Sequence, residues 1–282
     1  MPNRSHVRAL ALFLATAGAA PLGSLAAQTS GPATTWQLSE ITERGRALAS
    51  YERAVWQAYG QLLLKRPDPR LVQRYIAYHA DSGWAVAFGR LSVKRDTFYV
   101  SHLAIPAVVG GKRVDTLFSI QSFEKPGADT DYLLRAARAV DSALALLGPT
   151  PRPYDVAALP TANGEWWVYV IPGPNRSNVW PLGDDTRYRF SADGRRILER
   201  RRMHLGILEF DRMSKPEASR FVAGVHNTEI SDAPEDTDVF HVLTRKPRVF
   251  EYVFTPRYLY MINEDGSIRF VLGRSTVAST TQ

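Results

Sequence analysis

The chain has 282 residues, a formal net charge of +7 and no cysteine. The absence of cysteine excludes disulfides, thiolate nucleophiles and cysteine-ligated zinc sites. Hydrophobic residues make up 45% of the sequence and aromatic residues 11%, so the chain is able to bury a sizeable core, and long disordered regions are not expected.

The N-terminal segment has the order of features of a secretory signal peptide. Arg4 and Arg8 form a basic region, residues 9–20 form an apolar run, and the small residues Ala26 and Ala27 follow. The apolar run is shorter than the roughly 20 residues that a transmembrane helix needs, and it has no polar face. We therefore expect cleavage after Ala27, export to the periplasm or the medium, and a mature protein without a transmembrane segment.

The basic character of the chain does not indicate a nucleic-acid partner. Removal of Arg4 and Arg8 with the signal peptide lowers the formal charge from +7 to +5. The densest basic stretch, DGRRILERRRMH, alternates with apolar residues in the manner of a solvated strand face. Since export also separates the protein from DNA and RNA, an unknown envelope protein or ligand is the expected partner.

The N-terminal part is predicted to begin with helices. Residues 28–35 are polar, contain glycine and proline, and predict a flexible leader. Apolar residues then recur at helical spacing from Leu38 to Leu64, and the stretch RPDP ends that helix because proline cannot continue it. Pro69 suits the first turn of a second helix, whose apolar residues continue to Tyr78.

The pattern then changes to the two-residue alternation of β-strands. GWAVAFGRLSV and TFYVSHLAIP predict a hairpin, and RVDTLFSIQSF predicts a third strand. The stretch DTDYLLRAARAVDSALALLG predicts a long helix, with Thr130 or Asp131 as its N-cap and Gly148 at its end.

The proline-rich stretch PTPRP separates an N-terminal part, residues 36–148, from a C-terminal part, residues 154–274. The C-terminal part contains several apolar stretches of strand length, and SADGRR and NEDGS predict hairpin turns. The predicted fold class is α+β, with N-terminal helices and a small antiparallel sheet, then a sheet-rich C-terminal half with one or two helices. A three-stranded sheet is too small to bury both of its faces alone, so we expect the two parts to pack as one body.

The strongest candidate for a site is the stretch VAGVHNTEISDAPEDTDVF, residues 222–240. It predicts a strand that ends near His226, a turn at Pro234, and a helix whose first turn carries several carboxylates. The helix dipole favours carboxylates at this position, so helix structure alone explains the acidic residues. It does not explain His226 and His241. We expect a carboxylate such as Asp238 to lie within reach of His226 and to raise its pKa.

This arrangement resembles the JAB/MPN-type (JAMM) zinc metallopeptidases over residues 220–270. The motif of that family is His-x-His, a loop and Pro-Ser-x-x-Asp, with a glutamate on an earlier strand. His226 matches the first histidine, Pro234 the proline, and Asp238 the metal-binding aspartate. Thr228 stands in place of the second histidine, and the loop is one residue shorter.

The resemblance implies a degenerate zinc hydrolase centred on His226 and Asp238. Glu235 replaces the serine of the motif, and Glu165 is the candidate for the upstream glutamate. A catalytic zinc ion needs three protein ligands and an open position. His241 follows Asp238 by three residues and shares its helix face, so it completes a candidate ligand set.

A second candidate site lies in the stretch GEWWVYVIPGPNRSNVWPLG. Trp166, Trp180 and Arg176 offer flat rings and hydrogen-bond donors of the kind that bind sugars or peptides. Strand alternation, however, places Trp167 with Tyr169 on one face and Trp166 on the other. Half of these rings are therefore expected to belong to the core.

The sequence contains no complete catalytic set. It favours a non-enzymatic exported module that binds an envelope protein or ligand without a cofactor. The alternative is a degenerate zinc metallohydrolase that uses His226, Asp238 and His241. Whether the protein is an enzyme stays open at this point.

Overall fold

The computed structural model describes residues 31–81, 83–211 and 223–274. The predicted signal peptide, the leader up to residue 30, the predicted strand residues 221–222 and the C-terminal tail lie outside these ranges. From Pro32 onward, the described residues belong to one compact unit. No helix among them is long and apolar enough to cross a membrane.

The described residues contain three helices: α1 (Thr35–Leu63), α2 (Tyr132–Leu147) and α3 (Asp236–Thr244). A capping box starts α1, since Gln37 N donates to Thr34 Oγ1 at 3.3 Å and Thr34 N donates to Gln37 Oε1 at 2.9 Å. Asp131 is the N-cap of α2, as one of the two predicted alternatives, but its side chain makes no capping hydrogen bond. Asp129 Oδ1, rather than a side chain at 130 or 131, accepts the backbone N–H of Leu134 at 3.0 Å.

The first sheet is antiparallel and follows chain order: β1 (Arg74–Ala80), β2 (Gly83–Leu91), β3 (Phe98–Val109) and β4 (Lys112–Asp129). The predicted second helix from Pro69 to Tyr78 is wrong, because β1 covers its second half and residues 69–73 are not helical. Ile76 and Ala77 are adjacent and both buried. They belong to different core clusters, as expected for a strand that is covered on both faces and therefore lacks polar alternation.

The second sheet is antiparallel, in the order β5 (Tyr154–Pro160), β6 (Trp166–Pro172), β8 (Thr186–Phe190) and β9 (Ile197–Arg202). The hairpin predicted at SADGRR joins β8 to β9. Between β6 and β8 the chain forms β7 (Val179–Gly183), which pairs with β10 (Ile207–Asp211) in a separate two-stranded ribbon. The sequence analysis did not predict β7, which is short and contains a proline.

The last sheet follows the order β11 (Gly224–Asn227), β12 (Glu251–Phe254), β13 (Tyr258–Ile262) and β14 (Ile268–Gly273). β11 is parallel to β12, and α3 lies in the connection between them. The other pairs are antiparallel. A parallel pair needs such a crossover, which places the N-terminus of α3 close to the end of β11.

The core joins both halves of the chain. One cluster packs α2 against the first and second sheets, and a second cluster packs α1 against the same two sheets. A third, smaller cluster joins α3 to the last sheet, with Ile41 of α1 packed against it. The α+β prediction is confirmed, and α1 links the large core to the helix that carries the candidate site.

Candidate metal centre

Three buried side chains from separate parts of the chain meet beside the N-terminus of α3. His204 follows β9 by two residues, His226 is the third residue of β11, and Asp238 is the third residue of α3. Each offers one ligand atom within 4.8 Å of those of the other two. Their side chains are only 6%, 1% and 0% exposed. No other such group occurs in the part of the chain that the structure describes.

Both imidazoles approach the same carboxylate oxygen. His204 Nε2 and His226 Nε2 each lie 3.0 Å from Asp238 Oδ1. Neither contact has hydrogen-bond geometry, and the three atoms have no hydrogen-bond partner among the described residues. Ligand atoms around a tetrahedral zinc ion at about 2.0–2.1 Å lie about 3.3 Å apart. The two nitrogen–oxygen distances are therefore close to those within a coordination shell.

The other nitrogen of each imidazole is held by a separate carboxylate. His204 Nδ1 lies 2.9 Å from Asp185 Oδ1, and His226 Nδ1 lies 2.6 Å from Glu251 Oε1, both with hydrogen-bond geometry. Since an ionised carboxylate only accepts, Nδ1 carries the proton in both rings. Metal-ligating histidines are usually oriented in this way, which leaves Nε2 free to bind the ion.

The chain reaches Asp185 through a tight turn between β7 and β8. Gly183 has φ 103° and Asp184 has φ 47°, both in the left-handed region. A Cβ atom at position 183 would lie 2.0 Å from the carbonyl oxygen of Gly206. Glycine is therefore required for the close pairing of the β7–β10 ribbon beside His204.

The start of α3 orients Asp238. Its Oδ2 atom accepts the backbone N–H of Glu235 at 2.8 Å, which caps the helix. This bond turns the other oxygen, Oδ1, toward the two histidines. The prediction that Asp238 lies within reach of His226 is confirmed, and the same carboxylate also serves as part of the helix cap.

Buried carboxylates control the electrostatics of the cluster. Burial is the largest single effect and lowers the pKa of both histidines, but Asp238 and the outer carboxylates together outweigh it. The pKa rises to about 11 for His204, with help from Asp185, and to about 9 for His226, with help from Glu251. The two imidazoliums in turn lower the pKa of Asp238 despite its burial. A cation that binds here therefore displaces two protons at neutral pH.

A cleft leads to the cluster. Its volume is about 470 Å³, and it lies between the β7–β10 ribbon and the segment after β11. His204, His226, Thr228 and Glu229 are among its lining residues. Thr228 Oγ1 is buried and has no hydrogen-bond partner among the described residues. The cleft offers room for a small molecule next to the two imidazoles.

His241, the third ligand expected from the sequence, is not part of the group. It is buried, and its ring packs against Phe210 at a centroid distance of 4.6 Å. Burial lowers its pKa to about 3, since a charged imidazole is disfavoured there. Its place is taken by His204. Glu165, the candidate upstream glutamate, pairs instead with Arg189 at 2.9 Å.

The residues of the second candidate site do not come together. Trp166 is 2% exposed, belongs to the core, and donates Nε1–H to the carbonyl oxygen of Ala192 at 3.2 Å. Trp180 lines a different cavity, near α3. Arg176 is exposed and pairs with Asp211 at 2.9 Å.

Sequence reasoning missed His204 and the two outer carboxylates, Asp185 and Glu251. His204 ends the basic stretch RRRMH and has no acidic neighbour in sequence. Its partner Asp185 is 19 residues away, and the partner of His226 is 25 residues away. Only the pairing of β11 with β12 and the turn after β7 bring these groups together.

Comparison with protein-family models, curated proteins and solved structures gives no match.

Proposed function

We propose that the protein binds a divalent transition-metal ion, with zinc as the first candidate, through His204, His226 and Asp238. The observation that carries the proposal is the duplicated arrangement around the histidines. Each presents Nε2 to the same carboxylate oxygen at 3.0 Å, while each donates Nδ1–H to a carboxylate of its own. The two Nε2 atoms and Asp238 Oδ1 have no other partner among the described residues, so all three are available to an ion.

The donor set supports zinc. Two imidazole nitrogens and one carboxylate oxygen are the ligands of many catalytic zinc sites, which keep a fourth position open. The same set also suits iron(II). The absence of cysteine excludes the thiolate-rich shell that most closed structural zinc sites use.

We further propose that the protein is an exported metal-dependent hydrolase. His204, His226 and Asp238 would hold the ion, which would supply Lewis-acid chemistry and an acidified water for hydrolysis. The cleft beside the histidines supplies space for a substrate, and two of its lining groups have suitable chemistry. Thr228 Oγ1, which is buried and has no hydrogen-bond partner within the described ranges, is able to hydrogen-bond a bound molecule, and Glu229 is a carboxylate that could serve as the general base. The resemblance of residues 220–270 to JAMM peptidases agrees with this class.

Metal analysis of purified protein, with matched histidine variants, tests the metal site. We expect one zinc ion per chain in the unsubstituted protein, and at least tenfold weaker zinc binding in His204→Gln. His241→Gln is the matched control, since this histidine is also buried but lies outside the group. Zinc retained by His204→Gln and lost by His241→Gln would overturn the assignment. Melting curves in chelator check that both variants fold.

A non-enzymatic envelope module is the second candidate function, and the depth of the cluster favours it. All three ligand side chains are at least 94% buried, with exposures of 6%, 1% and 0%. In that case the ion, or the two protons in its place, stabilises the fold and the cleft binds a partner. Hydrolysis of amide or ester reporters, present with zinc and absent in Glu229→Gln and with chelator, would favour the hydrolase. Zinc binding without turnover would favour the module.

A further inference from the structure

A second cavity of about 570 Å³ lies on another side of α3. It is formed by α1, the strands β5 to β7, α3 and the segment after that helix. Aromatic side chains, including Trp56, Trp180 and Phe240, form part of its wall. The metal centre and its cleft do not share these residues, so the cavity needs an explanation of its own.

Two carboxyl groups that have no cationic partner among the described residues line this cavity. Glu52 in α1 is 4% exposed, and neither of its carboxylate oxygens has a hydrogen-bond partner among the described residues. Asp155 in β5 is half-buried and lines the same cavity. Burial raises the pKa of Glu52 well above its usual value, and the Asp155 charge adds to this; the Trp56 side chain acts in the opposite direction. Burial raises the pKa of Asp155 to about 6.

An unpaired buried carboxyl group is costly and is usually compensated by a partner. Among the described residues, no cationic side chain pairs with Glu52 or Asp155. Cationic side chains do occur at the exposed side of the cavity. Arg53, Lys246 and Arg248 are exposed and line the cavity. The cavity thus has an acidic pair in its buried part, aromatic side chains along its wall and exposed cations at its mouth. The buried cation Arg245 also lines it, but pairs with Glu251 at 2.9 Å.

We propose that this cavity binds the free amino terminus of a short peptide. The ammonium group would pair with Asp155, next to Glu52, and the peptide carboxylate would lie near Lys246 and Arg248. The aromatic walls suit this ligand, because the faces of indole rings attract cations. An anion without an ammonium group would be repelled by the carboxyl pair. A simple cation would be repelled by the cationic side chains at the mouth of the cavity. A zwitterionic peptide satisfies both ends.

Tri-alanine is a suitable probe, because each of its charged ends is easily removed. We expect it to bind the full mature protein with a Kd at or below about 1 mM, measured by calorimetry and by intrinsic tryptophan fluorescence. N-acetyl-tri-alanine, which lacks the ammonium group, should bind at least about tenfold more weakly. Tri-alanine amide should bind more weakly than tri-alanine, by about threefold or more, because it loses the attraction of the basic mouth.

Asp155→Asn should weaken tri-alanine binding at least about tenfold without lowering the melting temperature, since it removes a charge that has no partner. Asp81→Asn, the same change at an exposed turn residue outside the cavity, should leave binding unchanged. Zinc content should be the same in all three proteins, which keeps this test separate from the metal centre. Equal binding of the acetylated peptide, unchanged binding by Asp155→Asn, or no binding of tri-alanine up to about 10 mM would each overturn the proposal.

Discussion

His226→Gln distinguishes a protonated cluster from a metal-bound one, since a proton and a metal ion compete for Nε2. In chelator, burial lowers the pKa of His226, but Asp238 and Glu251 together raise it from 6.5 to about 9. A pKa raised on folding adds stability that is fully present below about 6.5 and is lost as the pH rises through about 9. At about 1.4 kcal/mol for each pKa unit, this contribution is about 3 kcal/mol.

The cost of His226→Gln in chelator should therefore fall by about 2–3 kcal/mol between about pH 5.5 and about pH 8.5. Losses that do not depend on pH cancel in this difference. Glutamine also keeps a hydrogen-bonding side chain beside Glu251. With zinc, His226→Gln should cost more at the higher pH than at the lower pH. Zinc binds the neutral imidazole, so its affinity increases as the pH rises. Urea unfolding at the two pH values, with zinc or with chelator, measures all four costs.

His79→Gln is the matched control for this series. His79 is exposed and stacks on Trp84, with ring centroids 4.1 Å apart. Its substitution should have the same small cost under all four conditions. The reasoning is refuted if the cost of His226→Gln in chelator is independent of pH and zinc does not stabilise the unsubstituted protein. That result would contradict both the proposed charge network and the proposed metal centre.

Three further predictions concern the fold and its export. Gly45→Ala should lower the free energy of unfolding by about 1–3 kcal/mol, since its Cβ would lie 2.7 Å from the carbonyl oxygen of Asp236. Gly60→Ala, in the same helix with nothing within 4 Å, should raise it by about 0.5–1 kcal/mol, and thermal melts that show equal effects would contradict this. Asp236→Asn should cost about 3–5 kcal/mol in urea unfolding, because it breaks the buried ion pair with Arg187; a cost below about 1 kcal/mol would contradict it. N-terminal sequencing of the exported protein should find Gln28 first, and an uncleaved N-terminus would contradict the signal peptide.

Local sequence patterns were enough to predict helices with one buried face and hairpins whose turns contain characteristic turn residues. The hairpin at SADGRR, the helix α2 and the helix that begins at Asp236 all follow from such signals. The strand β1 was mistaken for a helix because Tyr75, Ile76 and Tyr78 are compatible with helical spacing. Both faces of β1 are covered, so the alternation that identifies a strand is missing.

Two of the three candidate ligands could be predicted from the sequence for a similar reason. His226 and Asp238 lie in one short stretch, and a strand, turn and helix bring them together locally. The third ligand comes from a loop after β9, and the outer carboxylates come from a turn and from β12. These contacts depend on how the sheets pack, and no spacing within the sequence encodes that packing. A helix-spacing rule therefore selected His241, whose ring faces Phe210 instead.

The acidic stretch carries two different roles because of helix geometry. Asp236 and Asp238 are two residues apart, and such residues point to opposite sides of a helix. Asp236 faces Arg44 at 3.0 Å, Arg187 at 2.6 Å and the hydroxyl of Tyr169 at 2.8 Å, which ties α3 to α1 and the second sheet. Asp238 faces the histidines.

A helix of nine residues is too short to be stable alone, so these two sets of contacts fix its position from both sides. Substitution at either aspartate should therefore move the other. Because the same helix forms a wall of the second cavity, a loss of order at the metal centre should also weaken the peptide site.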